Sequence, residues 1–221
     1  LAIATPAAQA AASATSEIPI LATPITDPEK TGLVVSNKKP QTNVTGTSDL
    51  PPIAEQIGLI KKLKPQAKKI GVLFSSKEAN SKAQAEIAKV EAKKIDLDVQ
   101  IFTFSESTEI QQVTESIIGK VDAIYTPADN MVASNMELIS RIAMQGGIPV
   151  ICSDVTLVPK GAAGTVGVDY FELGKLTAKQ AINILNNDMK PQDMPIEYLE
   201  NAKLVLNQEV IKKLGLMEIT S

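Results

Sequence analysis

The chain has 221 residues, of which 44% are hydrophobic and 21% are charged, and its formal net charge is −3. This length suits one large domain or two lobes, and the mild acidity predicts no binding to nucleic acid. The chain contains no histidine and only one cysteine, Cys152. These counts exclude a Ser-His-Asp triad, a disulfide framework and metal sites built from histidine or clustered thiolates. We therefore expect no metal and no other cofactor, and a core position for Cys152.

Short apolar runs alternate with amphipathic segments along the chain, and this alternation predicts the secondary structure. Apolar runs predict strands near 1–4, 18–22, 33–36, 70–74, 98–104, 121–125, 148–152, 164–168 and 203–206. Helical spacing predicts helices near 6–15, 52–63, 77–94, 108–118, 130–145, 170–187 and 208–214. Strand–helix alternation with short connections is typical of an α/β protein with parallel sheets and right-handed crossovers.

Several local signals set the expected helix starts and domain joints. Thr5 before Pro6 predicts a helix whose N-cap is the Thr5 hydroxyl, and the sequence from Ser75 to Glu78 fits a capping box. The stretch 44–52 is rich in turn formers and, with 164–169, is a natural joint between domains.

The strands group into two doubly wound, Rossmann-like lobes. Residues 70–168 contain five predicted strands, enough for one complete lobe, whereas the two ends of the chain together supply three or four. We therefore predict lobe one from 1–48 and 168–221, and an inserted lobe two from 49–167. Joints of this kind suit hinge closure around a ligand in a cleft between two lobes.

The polar residues at the ends of the apolar runs resemble those of a known family. The stretches that carry the resemblance are ATPAAQ (4–9), NVTGTSD (43–49), SKEANS (76–81), PADN (127–130), SD (153–154) and VDYFELG (168–174). Together they resemble ABC-transporter substrate-binding proteins, in particular the subgroup associated with tryptophan or phenylalanine uptake.

The resemblance implies a type I periplasmic-binding-protein fold with a hinge and no enzymatic activity. The family carries a further β-α-β-α stretch of roughly seventy residues ahead of the position of Leu1, so we expect lobe one to be incomplete. It also implies a monomeric, extracytoplasmic receptor, either periplasmic or lipid-anchored, that delivers a free amino acid to the membrane permease subunits of an ABC importer.

An amino acid ligand needs a partner for its carboxylate. The best candidate is the turn of Thr5, Ala7 and Ala8, because a helix N-terminus offers unpaired N–H groups and a positive dipole end. The alternative is that Thr5 only caps its own helix. Thr26 and Asp27 follow the next strand and are candidates for the same site, although Asp-Pro is also a turn signature.

The ligand's ammonium needs a carboxylate. Asp129 and Asp154 follow consecutive strands of the complete lobe, so we expect them to be neighbours. By family position, Asp154 resembles the acidic residue that takes the amine, whereas Asp129 is equally well explained as a helix N-cap. Ala79, Asn80 and Asn130 lie at adjacent strand ends and complete this candidate set.

Residues at the predicted joints form the third candidate group. Ser48, Asp49, Asp169 and Tyr170 lie there, and Asp169 can either accept from the ligand or brace the hinge. Tyr170 also offers a flat face and a hydroxyl to an aromatic ligand.

Three other aromatic residues are weaker candidates for the walls of the ligand site. Phe74 and Tyr125 lie inside apolar runs and are better explained as core residues, and Phe171 follows Tyr170.

Two other function classes remain open from the residues alone. One is the effector-binding domain of a LacI-type transcriptional regulator, which has the same two-lobed fold. The other is an α/β enzyme that uses the aspartates, which the lack of histidine and of a phosphate-binding loop disfavours. The glycine-rich stretch 161–167 lacks Gly-x-Gly-x-x-Gly spacing and precedes a strand, so it predicts no nucleotide site.

Overall fold

The computed structural model of the protein describes residues 1–199 and 202–219. The chain divides into two compact units. Unit 1 comprises Leu1–Pro51 and Val168–Ala202, and unit 2 comprises Pro52–Gly167 and Lys203–Ser221. The predicted assignment of the whole of 168–221 to lobe one is therefore wrong for its last part. Residues 200, 201, 220 and 221 of that assignment lie outside the described residues.

The described residues contain ten strands and eight α-helices. The strands are β1 (Ala2–Ile3), β2 (Ile20–Thr23), β3 (Val44–Ser48), β4 (Lys69–Ser75), β5 (Asp98–Phe104), β6 (Ala123–Thr126), β7 (Val150–Cys152), β8 (Gly164–Gly167), β9 (Glu197–Tyr198) and β10 (Lys203–Leu206). The helices are α1 (Thr5–Ala14), α2 (Ile53–Leu63), α3 (Ala79–Lys93), α4 (Ile110–Ile117), α5 (Asn130–Ser134), α6 (Met136–Gln145), α7 (Tyr170–Asn186) and α8 (Gln208–Lys213).

Unit 1 is built on a parallel sheet with the strand order β1-β2-β3-β9. The predicted strand at 33–36 is wrong, because the N–H groups of Leu33 and Val34 donate to the carbonyl of Pro28 and that of Val35 donates to Pro40. Leu33 and Val34 still bury their side chains in the core of unit 1. The apolar run is thus a packed loop.

Strand β3 occupies the central position that the sequence analysis assigned to a joint. Its hydroxyl side chains are buried and hydrogen-bonded: Thr45 Oγ1 donates to the carbonyl of Met194, and Thr47 Oγ1 pairs with Thr177 Oγ1 at 2.7 Å. Gly46 has φ 155°, and a Cβ there would lie 1.8 Å from a backbone oxygen of β2. The Thr-Gly-Thr-Ser composition therefore reflects close strand packing.

Unit 2 is built on a six-stranded sheet with the order β10-β8-β7-β6-β4-β5. The five strands from β4 to β8 are parallel, as predicted. Strand β10 pairs with β8 in the antiparallel direction. Helices α2, α3 and α8 cover one face, and α4, α5 and α6 cover the other. The predicted helix at 130–145 is divided at Asn135, where φ is −119° and ψ is 13°.

The strand order of unit 2 places a crevice at a defined point. The chain leaves β4 to form β5 on one side and then crosses to form β6 on the other side. In open α/β sheets, ligands bind beyond the carboxyl ends of the strands at such a switch point. The loops that follow β4 and β6 are therefore the first place to look for a site in this unit.

Candidate functional site

The turn between β1 and α1 has an unusual backbone. Ala4 adopts φ 70° and ψ 156°, a conformation that residues with a Cβ adopt only where the surrounding structure imposes it. The Ala4 N–H donates to the carbonyl of Thr23 at 3.1 Å, and its own carbonyl accepts from Ala8. These two bonds hold the turn, and such backbone outliers cluster at functional sites.

Thr5 does not cap its helix. It is the first helical residue, the N-cap is Ala4, and no side chain caps α1, so the predicted capping role of the hydroxyl is wrong. Thr5 is 3% exposed, and its hydroxyl has no hydrogen-bond partner among the described residues. Because first-turn N–H groups lack intrahelical acceptors, Thr5 and Ala7 present N–H donors beside this hydroxyl, whereas the Ala8 N–H is used within the turn.

Thr26 and Asp27 lie in the loop after β2 and are buried. Asp27 begins a tight turn: its Oδ1 accepts the N–H of Lys30 at 3.1 Å, and its Oδ2 lies 3.6 Å from Lys30 Nζ. The carbonyl of Thr26 accepts from Ser48 Oγ at 2.8 Å. The carboxylate of Asp27 is therefore engaged in its own turn, as the Asp-Pro signature predicts.

Two of the candidates at the joints are hydrogen-bonded to each other within unit 1. Tyr170 Oη donates to Asp49 Oδ2 at 2.9 Å. Asp169 is the N-cap of α7, where its Oδ1 accepts the N–H groups of Phe171 and Glu172. Asp169 therefore caps its own helix, and its two predicted roles, as a ligand acceptor or as a brace of the hinge, stay predictions.

Tyr198 is a residue of this region that the sequence analysis missed. It pairs with Ser48 between parallel β9 and β3, so it lies at the carboxyl end of the sheet, and it is 42% exposed. Partial burial, together with the carboxylates of Asp27 and Glu29, raises the pKa of Tyr198. A two-residue strand has no periodicity, so only the sheet pairing reveals its position.

At the switch point of unit 2, two buried carboxylates connect the loops after β4 and β6. Asp129 caps α5 through Val132 N–H, and its Oδ2 accepts both Ser75 N–H and Ser81 Oγ at 2.8 Å. Every oxygen of Asp129 is therefore bonded within the unit. The N-cap interpretation describes its position correctly.

Glu78 is the second of these carboxylates, and the predicted capping box at Ser75–Glu78 is wrong. Glu78 makes no side-chain bond to its own helix α3. Its oxygens instead accept the Asn130 N–H at 2.9 Å, Asn130 Nδ2 at 2.9 Å and the Met131 N–H at 3.3 Å. Glu78 thus caps a helix from another loop, a role that no local sequence signal announces.

Asn80 presents an unsatisfied acceptor at the same point. Its Nδ2 donates to the carbonyl of Ala128 at 2.7 Å, whereas its Oδ1 is buried and has no partner among the described residues. Asn80 is 4% exposed, and Ala79 before it is exposed at the start of α3. Two further buried hydroxyls near these strand ends, Thr126 Oγ1 and Ser153 Oγ, also lack a partner in the described part of the chain.

Asp154 follows β7, the strand adjacent to β6, so it lies one strand from Asp129, as expected. It is half-buried, and its Oδ1 accepts the N–H of Thr156 at 2.7 Å and the hydroxyl of Thr156 at 2.8 Å. No described residue donates a hydrogen bond to its Oδ2. Asp154 is therefore held in place by one oxygen, and the other remains available.

A buried glutamine is hydrogen-bonded to the segment that follows β7 and to β8. Gln56 Nε2 donates to the carbonyls of Ser153 at 3.3 Å and Val166 at 2.7 Å, and its Oε1 accepts Tyr125 Oη at 2.8 Å. Gln56 is the one polar residue on the apolar face of α2 that is fully buried in the described structure. That isolated polar residue is the signal that could have identified it.

The remaining aromatic candidates are not exposed ligand walls of unit 2. Phe74 and Tyr125 lie in the hydrophobic core, as expected, and Cys152 is also fully buried. Burial raises the pKa of the Cys152 thiol to about 12. Phe171 is 73% exposed on α7, with Lys175 Nζ 4.8 Å from its ring centre.

Comparisons with known proteins agree with this description. A family model described as ABC transporter substrate binding protein matches residues 1–219. A tyrosine-binding protein from Clostridioides difficile (strain R20291) is 39% identical over 220 residues, which cover 100% of this chain and 64% of that protein. The chain thus spans less than two thirds of that curated relative.

Solved structures support the fold. An ABC domain from Streptococcus pneumoniae in complex with L-Trp has a TM-score of 0.94 and 39% identity, covering 97% of this chain and 72% of that chain. A leucine-binding protein from Thermotoga maritima shares the fold alone, with 18% identity, a TM-score of 0.53, and coverage of 86% of this chain and 58% of that chain. These matches confirm the predicted resemblance and the type I periplasmic-binding-protein fold.

A LacI family transcriptional regulator from Bifidobacterium animalis subsp. lactis also shares only the fold. It is 14% identical, with a TM-score of 0.56 and coverage of 88% of this chain and 78% of that chain. The regulator alternative therefore gains no support beyond the architecture.

Proposed function

Because the chain belongs to the family of ABC transporter substrate-binding proteins, we propose that it recognises a free aromatic amino acid for an importer. Two relatives support the ligand class: one is a tyrosine-binding protein, and the other was crystallised with L-Trp. The observation that supports the proposal most directly is the chemistry of the hydrogen-bonding groups that have no partner among the described residues. Donors lie at the carboxyl edge of the sheet in unit 1, and acceptors lie at that edge in unit 2.

The ligand carboxylate binds the turn between β1 and α1. The Thr5 hydroxyl has no acceptor in the described part of the chain, and the N–H groups of Thr5 and Ala7 lie in the first turn of a ten-residue helix. A carboxylate accepts these donors and also interacts favourably with the positive end of the helix dipole. The strained backbone of Ala4 holds the donors in place, which reduces the entropy lost when the ligand binds.

The ligand ammonium binds acceptors of unit 2. Asp154 Oδ2 is available, and the Oδ1 of Asn80 is buried without a partner. An ammonium has three N–H donors and no acceptor, so an aspartate and an amide oxygen suit it well. Asp129 is assigned a supporting role, because both of its carboxylate oxygens already accept hydrogen bonds from groups of unit 2.

The aromatic side chain of the ligand is assigned to tyrosine surfaces of unit 1. Tyr170 is held by Asp49 and is half-buried, and Tyr198 is 42% exposed. Both offer flat faces whose hydroxyls can bond a polar ligand atom. The predicted cleft between the lobes remains a prediction, as do Ser48, Asp49, Thr26, Asp27 and Asp169 as direct ligand contacts.

We further propose that the protein is a monomeric receptor that works outside the cytoplasm and delivers the amino acid to permease subunits. In the part of the chain that the structure describes, no helix is long and apolar enough to cross a membrane. Lipid anchoring is part of the same proposal and is tested by fractionation of cells that express the protein.

The experiment uses the absence of tryptophan from these 221 residues. L-tryptophan is titrated into the protein with excitation selective for indole, so that the emission comes from the ligand, and tyrosine, phenylalanine, leucine and a sugar are competitors. A saturable blue shift that the aromatic amino acids reverse and the sugar does not is the expected result. Calorimetry with the full-length protein supplies the affinities, and preference for a sugar or no binding of any amino acid would refute the proposal.

A further inference from the structure

We propose that Glu78 is a positioning residue that sets the affinity of unit 2 for the ligand's ammonium and makes that affinity depend on pH. The inference rests on the proposed function and adds to it a residue and a regulatory property. Glu78 does not contact the ligand directly. It acts through Asn80, in the first turn of α3, and Asn130, the first residue of α5.

The geometry of Glu78 is that of a clamp between two loops. It immediately precedes Ala79 and Asn80, and its carboxylate receives two backbone N–H groups and one amide donor from the first residues of α5. It is 7% exposed although it carries a charge. A glutamate that only capped its own helix would not need this burial, because it would face solvent at the start of α3.

Asp129 forms the reciprocal half of the clamp. It belongs to the loop after β6 and accepts the Ser75 N–H at the end of β4 and the Ser81 hydroxyl in the first turn of α3. Each loop therefore contributes one carboxylate that binds donors on the other side of the switch point. The two carboxylates fix the loops at the switch point, where Asn80 Oδ1 lies buried without a partner.

The clamp carries excess negative charge. Among the described residues, no lysine or arginine forms an ion pair with Glu78 or Asp129, and the neighbouring Lys77 pairs with Glu106. Burial, and then the charge of Asp129, raise the pKa of Glu78, although the donors from Asn130 and Met131 oppose this. Asp129 is the charged side chain that faces Glu78 from the loop after β6, and α5 contributes only neutral donors.

A bound ammonium changes this balance. Positive charge at the switch point favours ionised Glu78, so the ligand lowers the pKa of Glu78, and by linkage an ionised Glu78 strengthens ligand binding. The affinity for the ligand should then rise as pH increases through the raised pKa of Glu78 in the free protein. The total rise is about tenfold for each pH unit by which the bound ligand lowers that pKa.

Stability should follow the opposite trend. A carboxyl group whose pKa is raised on folding holds its proton in the native state after the unfolded state has released it. Its contribution to stability therefore falls as pH increases from the ordinary value of 4.5 through the raised pKa. A merely structural glutamate would change stability with pH but would leave the affinity unchanged.

The test is a pH series of ligand affinity for the full-length protein and for Glu78→Gln. Glu55→Gln is the matched control, because Glu55 is exposed in the first turn of α2 in the same unit. We expect wild-type affinity to rise with pH across the window, whereas Glu78→Gln binds about tenfold more weakly at neutral pH and shows less pH dependence. Glu55→Gln should match the wild type. Equal pH profiles for wild type and Glu78→Gln would overturn the inference.

A measurement without mutation covers the case in which Glu78→Gln does not fold. The side-chain carboxyl carbon of Glu78 is followed by NMR through a pH titration, without ligand and with saturating L-tryptophan. The ligand should move the midpoint to lower pH, and an unmoved midpoint would overturn the inference. If the wild type binds no amino acid at any pH, the proposed function itself fails, an outcome distinct from binding without linkage.

Discussion

Replacing Asp154 by asparagine isolates the charge that we assign to the ligand's ammonium. The Oδ1 atom accepts two bonds from Thr156, at 2.7 and 2.8 Å, and an asparagine oxygen can accept both. Asparagine and aspartate are comparable N-caps, so the free energy of unfolding should change by less than about 0.5 kcal/mol. The local loop is thereby preserved while the free carboxylate oxygen is removed.

The expected loss of affinity follows from the bond that disappears. A hydrogen bond to a charged group contributes about 1.5–3 kcal/mol, and Asp154 is only half-buried, so solvent screening favours the lower part of this range. Asp154→Asn should therefore weaken binding about tenfold, with a ceiling near a hundredfold.

The assay is calorimetric titration with L-tryptophan, accompanied by thermal unfolding of each variant. Asp98→Asn is the control. Asp98 is exposed at the start of β5, at the amino end of the same sheet, so this substitution removes the same charge far from the carboxyl ends of the strands. If Asp154→Asn binds within twofold of the wild type, or if Asp98→Asn loses as much affinity, the assignment of Asp154 is wrong.

The remaining predictions concern unit 1 and the two cores. Thr5→Val should weaken ligand binding about tenfold with little change in melting temperature, because the hydroxyl has no partner among the residues that the structure describes. Equal affinity in calorimetry would contradict its role. Gly46→Ala should prevent folding or lower the free energy of unfolding by several kcal/mol, since the new Cβ would lie 1.8 Å from the backbone of β2. Gly58→Ala in α2, where a Cβ meets open space, should instead raise the free energy of unfolding by about 0.5–1 kcal/mol, measured by denaturant unfolding. Tyr125→Phe should cost about 1–3 kcal/mol of unfolding free energy, because it leaves the buried Oε1 of Gln56 without its donor, and an unchanged denaturation midpoint would show that this bond contributes nothing.

The sheet of unit 2 was predictable because local runs of apolar residues mark its strands. Strands buried on both faces are typically apolar, and β4, β6 and β7 appear as continuous apolar runs with a polar residue at or just after the end of each strand. The positions of Asp129 and Asp154 at adjacent strand ends follow from that pattern. The different hydrogen bonding of these two aspartates does not follow from the pattern, because it depends on which donors the neighbouring segments bring to each carboxylate.

Unit 1 shows where local patterns fail. The apolar residues near 33–36 bury their side chains without joining the sheet, and the polar β3 occupies a central position. Burial of threonine hydroxyls is tolerable only when distant groups satisfy them, as Met194 and Thr177 do here. A composition rich in turn formers therefore predicted a loop, and long-range hydrogen bonding produced a strand.

The sequence by itself determined the α/β class, the parallel sheet of unit 2, the absence of histidine chemistry and the polar strand ends, because these depend on composition and on short-range periodicity. Only the tertiary structure decided that β10 joins unit 2, that the Thr5 hydroxyl finds no partner among the described residues, and that Glu78 caps a helix 52 residues away. These features depend on contacts between segments far apart in the chain. No local propensity encodes them, because each becomes favourable only after the sheets have brought the segments together.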